Sequence, residues 1–436
     1  MGSTVVDPRV TNILGQIATQ CRVPISAIED AYPATDIQAA QFAITTQSPR
    51  QLYVNAVFEL GGDVEGDIAR LRRTFNSVYQ RNATLRTRFV RYYDGDDKEA
   101  RIGQAVIRQE LPWTEFTDLD THCKTSIGDT VSYGDNINSF ALAVDRKHFV
   151  WTIHHALYDG WSFALLWKEI YATWLNGGEA GSLPERPKFS RLVRFLKQPV
   201  SRDTTEYWTK HLAGYNGPIN QAYEGDPKHD VSIEHEIRHS LPPNHAIGVT
   251  ARLQAAWICT LMAVFDTADI MLLMSSTGRN CPVPGVDELT GPCLCGLPLR
   301  MQADTNASLR RMIEKVQQTH RESLEHEHSA YGFFLSQVEK RRHPPHIFNL
   351  KGGEMERWDF PGMQYRKSKE ILPSPNNWEM HMTMKGDLVS WNLIVDSARV
   401  GLENVKFMED RFSKLLRICL SVEGDLETKV GEVLKR

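Results

Sequence analysis

The chain has 436 residues, with 50 Lys and Arg against 54 Asp and Glu, a formal net charge of −4 and an apolar fraction of 41%. That length exceeds one simple core, so two packed lobes are expected, and the composition excludes a disordered or fibrous chain. The near-balanced charge argues against a nucleic-acid partner. No apolar run reaches the roughly 18–20 residues of a membrane span, and the start lacks a basic stretch followed by an apolar one, so a cytoplasmic setting without a membrane partner is expected.

In chain order, Leu52, Val54, Ala56, Phe58 and Leu60 alternate with more polar neighbours, predicting a half-buried strand that Gly61-Gly62-Asp63 ends. Ile68, Leu71, Phe75, Val78 and Tyr79 recur at helical spacing, and a strand is expected from Leu85 to Tyr92. A hairpin follows: Phe140 to Val144, a turn at Asp145-Arg146-Lys147, then Phe149 to His154. From Ser162 the stripe Phe163, Leu166, Ile170 and Trp174 predicts a helix stopped by Asn176-Gly177-Gly178, and the Gly- and Pro-rich stretch from Asn176 to Pro187 reads as a link between lobes. Helices are expected around Asp203–Leu212, Thr250–Phe265, Leu309–Leu324 and Val405–Leu420, and strands at Ile270–Met274, Leu297–Met301 and Leu388–Val395. Interleaved strands and helices give an α/β or α+β class in two lobes, residues 1–180 and 188–436.

Seven scattered cysteines, Cys21, Cys123, Cys259, Cys281, Cys293, Cys295 and Cys419, read as reduced thiols. Cys281, Cys293 and Cys295 lack the paired spacing of zinc sites, and no metal is expected. His326 and His328, two apart, would not share a helix face, so they make no ligand pair. Arg310-Arg311 and Lys340-Arg341-Arg342-His343 read as solvated surface, and Trp257 and Trp391 as core. No serine sits in a nucleophile elbow and no Gly-rich phosphate loop follows a strand.

The chemistry is expected in Trp151-Thr152-Ile153-His154-His155-Ala156-Leu157-Tyr158-Asp159-Gly160-Trp161-Ser162. A strand ends in two adjacent histidines and turns through Asp-Gly into a helix. Alternation sends the imidazoles to opposite sides: if the strand persists to its last residue, His155 shares a side with Phe149, Trp151 and Ile153, and His154 with Val150 and Thr152. Asp159 is placed to cap the helix or pair with a cation, and Gly160 to permit close backbone approach. A titratable ring on a rigid element beside a bracing loop suits general-base or substrate-positioning chemistry.

His154-His155-Ala156-Leu157-Tyr158-Asp159-Gly160 resembles the HHxxxDG motif of the condensation domains of nonribosomal peptide synthetases, shared with chloramphenicol-acetyltransferase-like acyltransferases. Ile28 to Thr35, followed by Asp36-Ile37-Gln38, resembles the opening motif in its fungal version, and Thr35 and Gln38 have capping-box spacing. Arg81-Asn82-Ala83-Thr84-Leu85-Arg86-Thr87-Arg88-Phe89 resembles the RHxxLRTxF segment, with Asn82 where the family has His. Tyr207-Trp208 with Leu212, then Ser276-Thr277-Gly278-Arg279-Asn280, Gly291-Pro292 and Leu297-Pro298-Leu299-Arg300, resemble later segments, with Cys295-Gly296 replacing Asn-Thr. His326-Glu327-His328 and His346-Ile347-Phe348-Asn349 match loosely.

The resemblance implies two chloramphenicol-acetyltransferase-like lobes forming a V-shaped pseudo-dimer around a central tunnel. It implies an acyltransferase that forms an amide by attack of an acceptor amine on a carrier-bound acyl thioester. No cofactor is bound in that scheme; substrates arrive on the phosphopantetheine arms of donor and acceptor carrier proteins, alongside neighbouring synthetase domains. His155 is the implied catalytic residue. His154, Asp159 and Arg279 support it, with Asp159 paired to Arg279, and Gly160 and Trp161 line the tunnel. Terminal cyclisation and release, a stand-alone acyl-CoA acyltransferase and a silent carrier-docking module are the competing expectations.

Overall fold

A computed structural model describes residues 8–435 apart from 96, 129, 182, 216, 219–227, 243–245, 339–346, 353–361, 372–376 and 423. The Lys340-Arg341-Arg342-His343 run and His346 lie outside the described residues. The chain forms two compact units, each a mixed α/β assembly.

The first unit runs to Gln198 and takes back two later segments, Cys281–Cys293 and one containing the Met363–Ile371 strand. The boundary near residues 180–188 expected from sequence describes a single passage; here the chain returns. The Asn176–Pro187 stretch, expected as a link, is tied down within the unit. Arg81 donates to the carbonyls of Leu183 and Pro184, and Arg186 binds the buried Glu169 carboxylate at 2.5 Å. Charge-assisted bonds of this kind hold a chain that its Gly and Pro content would otherwise leave loose.

A five-stranded sheet runs in the order Met363–Ile371, Tyr53–Leu60, His148–His154, Asn138–Ala143, Trp113–Phe116. All its pairs are antiparallel except the last. Phe58, Phe149, Trp151 and Ile153 form one core with Leu71 and Phe75 of the Ile68–Arg81 helix and Leu166, Trp167 and Ile170 of the Gly160–Leu175 helix. Val57, Val150, Ala141, Phe116 and Cys123 form a separate, smaller core. Alternation at period two divides residues between cores in this way. In a second, three-stranded sheet, Arg101–Ile107 lies between Ile28–Pro33 and Thr87–Tyr92. The strand expected from Leu85 starts at Thr87, because Ala83–Arg86 form a 3-10 turn.

The second unit carries a six-stranded sheet ordered Cys295–Gln302, Asp269–Ser276, Ile347–Gly352, Trp378–Lys385, Leu388–Val395, Val231–Arg238. Its central helix, Val249–Val264, is buried from Ala251 to Ala263, as expected for a helix apolar on nearly every side. The Leu309–Leu324 and Leu402–Leu420 helices contribute to the same core, which includes Trp257 and Trp391.

Candidate active site

The His148–His154 strand ends on the first of the two histidines, with Tyr53 directly opposite His154. His154 is 0% exposed. Its Nδ1 accepts the Ala156 N–H at 3.0 Å, and its Nε2 lies 2.6 Å from Thr45 Oγ1. An Nδ1 that accepts carries no proton, so the neutral ring is protonated on Nε2 and donates to the threonine hydroxyl. The rings of Tyr53 and Phe42 meet it edge-on at 4.8 and 5.9 Å. Desolvation, with His155 alongside, pushes its pKa down to about 3. His154 is a neutral fastener inside the fold.

His155 lies one residue beyond the strand, in a 3-10 turn of His155–Leu157. Its N–H donates to the Leu52 carbonyl at 2.7 Å. Leu52, expected inside the strand, instead precedes it with φ of 66°, a left-handed conformation costly for a leucine. The Ala156 carbonyl accepts from Gln38 Nε2 at 3.1 Å, and the Leu157 carbonyl from Thr84 Oγ1 at 2.5 Å. The capping box of Thr35 and Gln38 is formed as expected, so Gln38 both closes the start of the Asp36–Gln47 helix and holds the histidine turn. Thus the opening motif and the Arg81–Phe89 segment converge on the backbone that presents His155.

The half-buried His155 ring lies parallel to Tyr158, centroids 4.9 Å apart. Tyr158 leans on Phe163 at 5.1 Å, and Phe163 stacks on Trp151 at 5.5 Å. The stack links the ring to Trp151, but the strand stops at His154, so the alternation expected of a strand running through His155 does not apply to it; His154 packs on Tyr53 and Phe42.

Asp159 caps the Gly160–Leu175 helix. Its Oδ1 accepts the Ser162 N–H at 2.7 Å, and Ser162 Oγ accepts the Asp159 N–H at 2.9 Å. Its Oδ2 accepts the Cys293 N–H at 2.8 Å, fastening the end of the Cys281–Cys293 segment to the histidine loop. Gly160 does not have a positive φ, and a Cβ there would meet nothing within 4 Å, so what the glycine provides is room rather than an unusual conformation. Trp161 is 47% exposed and donates its indole N–H to the Asp287 carbonyl at 2.9 Å. Arg279 belongs to the second unit, following the Asp269–Ser276 strand and Gly278, whose φ is 63°.

Asn82, standing where the resembled family has His, is fully used: its amide donates to the Val78 carbonyl and Glu169 Oε1 and accepts from Thr290 Oγ1. Gln38 is legible as a motif letter and by its capping-box spacing, and Thr84 only as a motif letter. Leu52 reads only as part of the strand pattern, and Thr45 carries no sequence signal. His326 and His328 part company, one bonded to Thr204 Oγ1 and the other near Cys295 Sγ. Among the described residues, no three His, Cys, Asp or Glu side chains are grouped to hold a metal ion.

A histidine locked neutral beside a second one on a braced turn suits proton-transfer or substrate-positioning chemistry, and the family match below makes the chain an acyltransferase-type catalytic domain. The Condensation domain family model matches residues 136–369, more than half of the chain, and the chain belongs to that family. It is 30% identical over 72% of its length to an FR901469 synthetase of Dothideomycetidae sp.. It is 29% identical over 72% to nonribosomal peptide synthetase easA of Emericella nidulans, and 30% over 67% to peramine synthetase ppzA of Metarhizium rileyi. The matched stretches span 2%, 4% and 10% of those proteins' lengths. Among solved structures it resembles one designated CT, with TM-score 0.74, 18% identity and 98% of each chain covered. It also resembles the condensation domain of the Monacolin K polyketide synthase MokA, with TM-score 0.67 and 14% identity, covering 93% of this chain and 100% of that one. These two likenesses establish the mixed α/β condensation-domain fold.

Proposed function

We propose that the chain forms an amide bond as one domain of a longer fungal-type nonribosomal peptide synthetase. An acceptor amine attacks the carbonyl carbon of an acyl thioester, giving an amide and a free thiol. Donor and acceptor carrier proteins bring both reactants on phosphopantetheine arms, with neighbouring synthetase domains beside them in a cytoplasmic setting, and no bound cofactor is needed.

The observation that carries this reading is the contrast between adjacent histidines: His154 neutral and enclosed, His155 only partly buried on a turn fixed by four hydrogen bonds from Ala156, Gln38, Thr84 and His155 itself. A neutral imidazole so held accepts the amine proton or orients the amine. The thioester is already an activated acyl donor, so alignment of two tethered reactants supplies up to roughly 7–11 kcal/mol. Asp159 braces the loop. The room at Gly160 supports close approach of substrate to the first helical N–H groups, whose partial positive charge suits a developing oxyanion. Trp161 flanks that approach.

The test supplies a carrier-tethered donor with a carrier-tethered amine, then with a free amine, then acyl-CoA, to wild type and His155→Ala. Amide formed only from tethered partners, and lowered about tenfold to 10⁴-fold in the variant, supports the proposal. Turnover with acyl-CoA alone points to a stand-alone acyltransferase, and cyclisation of one carrier-bound peptide to terminal release. Carrier binding without turnover points to a docking module.

A further inference from the structure

A second group of titratable side chains, centred on the buried Cys295, lies wholly in the second unit. Cys295 opens the Cys295–Gln302 strand and pairs with Ser276 at the end of the neighbouring strand. The Glu327–Val338 helix starts against this edge. Cys295 Sγ lies 3.6 Å from His328 Nδ1, and His328 Nε2 lies 3.2 Å from the Asn280 carbonyl. A carbonyl only accepts, so Nε2 carries the proton and Nδ1 turns its lone pair toward the thiol. Glu327 is 1% exposed. Its Oε2 accepts from Ser276 Oγ, while its Oε1 makes no hydrogen bond and faces His328 Nε2 at 3.8 Å. Burial raises the Glu327 carboxyl pKa, with the Ser276 hydroxyl, the charge of His328 and the Asn280 backbone opposing it only in part.

Gly296 makes the approach possible. A Cβ there would lie 2.8 Å from the Tyr331 ring, one turn further along the same helix. The Cys-Gly pair, which replaces Asn-Thr of the resembled family, therefore supplies the sulfur and also the clearance that lets the helix deliver His328 to it.

We propose that Cys295 is an activated thiol, with His328 as its base and Glu327 as the carboxyl behind that base, and that it takes an acyl group from small acyl thioesters. The Cys295 proton passes to His328 Nδ1, and the sulfur bonds to the thioester carbonyl carbon. The bond from that carbon to the leaving sulfur breaks, and the departing thiolate recovers the proton from His328. One thioester replaces another, so no oxidant or reductant is required. The substrate class rests on the proposed amide-forming function; the reactivity of the thiol does not.

The probe is S-acetyl-N-acetylcysteamine, with adducts read by intact mass and peptide mapping. One acetyl group released by neutral hydroxylamine is expected on Cys295, absent from Cys295→Ala and formed at least about tenfold more slowly in His328→Gln. Circular dichroism and melting curves verify folding; if His328→Gln is unfolded, the wild type and Cys295→Ala comparison still decides. Labelling in His155→Ala is expected at the wild-type rate. Absence of the adduct, or its appearance on another cysteine first, overturns the inference. Retention of His155-dependent amide formation in that case would leave the main proposal standing, while Cys295 labelling without any amide formation would sink the main proposal alone.

Discussion

Burying the His154 ring as a neutral group makes stability depend on pH. Its ordinary pKa of 6.5 falls to about 3 in the folded chain. Between those values the unfolded state binds a proton that the folded state excludes, so stability falls as pH is lowered through that window. This residue contributes at most about 1.4 kcal/mol per pH unit. His154→Gln is expected to be less stable than wild type near neutrality, through lost packing, yet to show a shallower decline of the urea midpoint from about pH 6.5 to pH 4. Equal slopes for the two proteins would contradict the assignment. Both histidines were plain in the sequence, but alternation does not account for their rings, because the strand ends at His154 and His155 begins a 3-10 turn. The resemblance named His155 as the working ring and left His154 to pack; the contact that seals His154 is Thr45, 109 residues earlier in the chain, which no local pattern records.

A helix start does two separable jobs at Asp159 and Gly160. Two backbone N–H groups, of Ser162 and Cys293, need two oxygens. Asp159→Asn offers only one, and leaving a buried donor unsatisfied costs about 1–3 kcal/mol, so a change of charge alone should lower the melting temperature. Asp159→Ala loses both acceptors and is expected to be worse. Gly160→Ala should be neutral, or stabilising by up to about 1 kcal/mol, since its methyl meets only open space at a helical position. Its amide-forming kcat/KM should nevertheless fall if substrate uses that space. Unchanged kcat/KM would remove Gly160 from the site. The cap was visible as Asp-Gly ahead of a periodic stretch. The Cys293 partner was not, since it lies 134 residues on and contributes only a main-chain N–H, which no side-chain pattern records.

At the scale of the whole molecule, sequence periodicity recovered the strongly patterned helices and the histidine hairpin but missed the strands that complete the sheets. Met363–Ile371 reads Met-Gln-Tyr-Arg-Lys-Ser-Lys-Glu-Ile, too charged to signal a strand, yet it pairs along the full length of Tyr53–Leu60. Charged residues are common on edge strands because they discourage further pairing. The consequence is that the first unit is built from chain segments far apart in sequence. A polypeptide ending at Gln198 would leave the largely buried Tyr53–Leu60 strand as an open edge and uncover Phe189, Leu192 and Val193, which pack against Val283, Val286 and Leu289. Unpaired apolar edges and lost core contacts both favour association. Residues 1–198 expressed alone are therefore expected to elute as aggregates, bind anilinonaphthalene sulfonate and melt without a cooperative transition. A monodisperse, cooperatively melting fragment would show that the returning segments are dispensable and that the first unit is specified by its contiguous sequence.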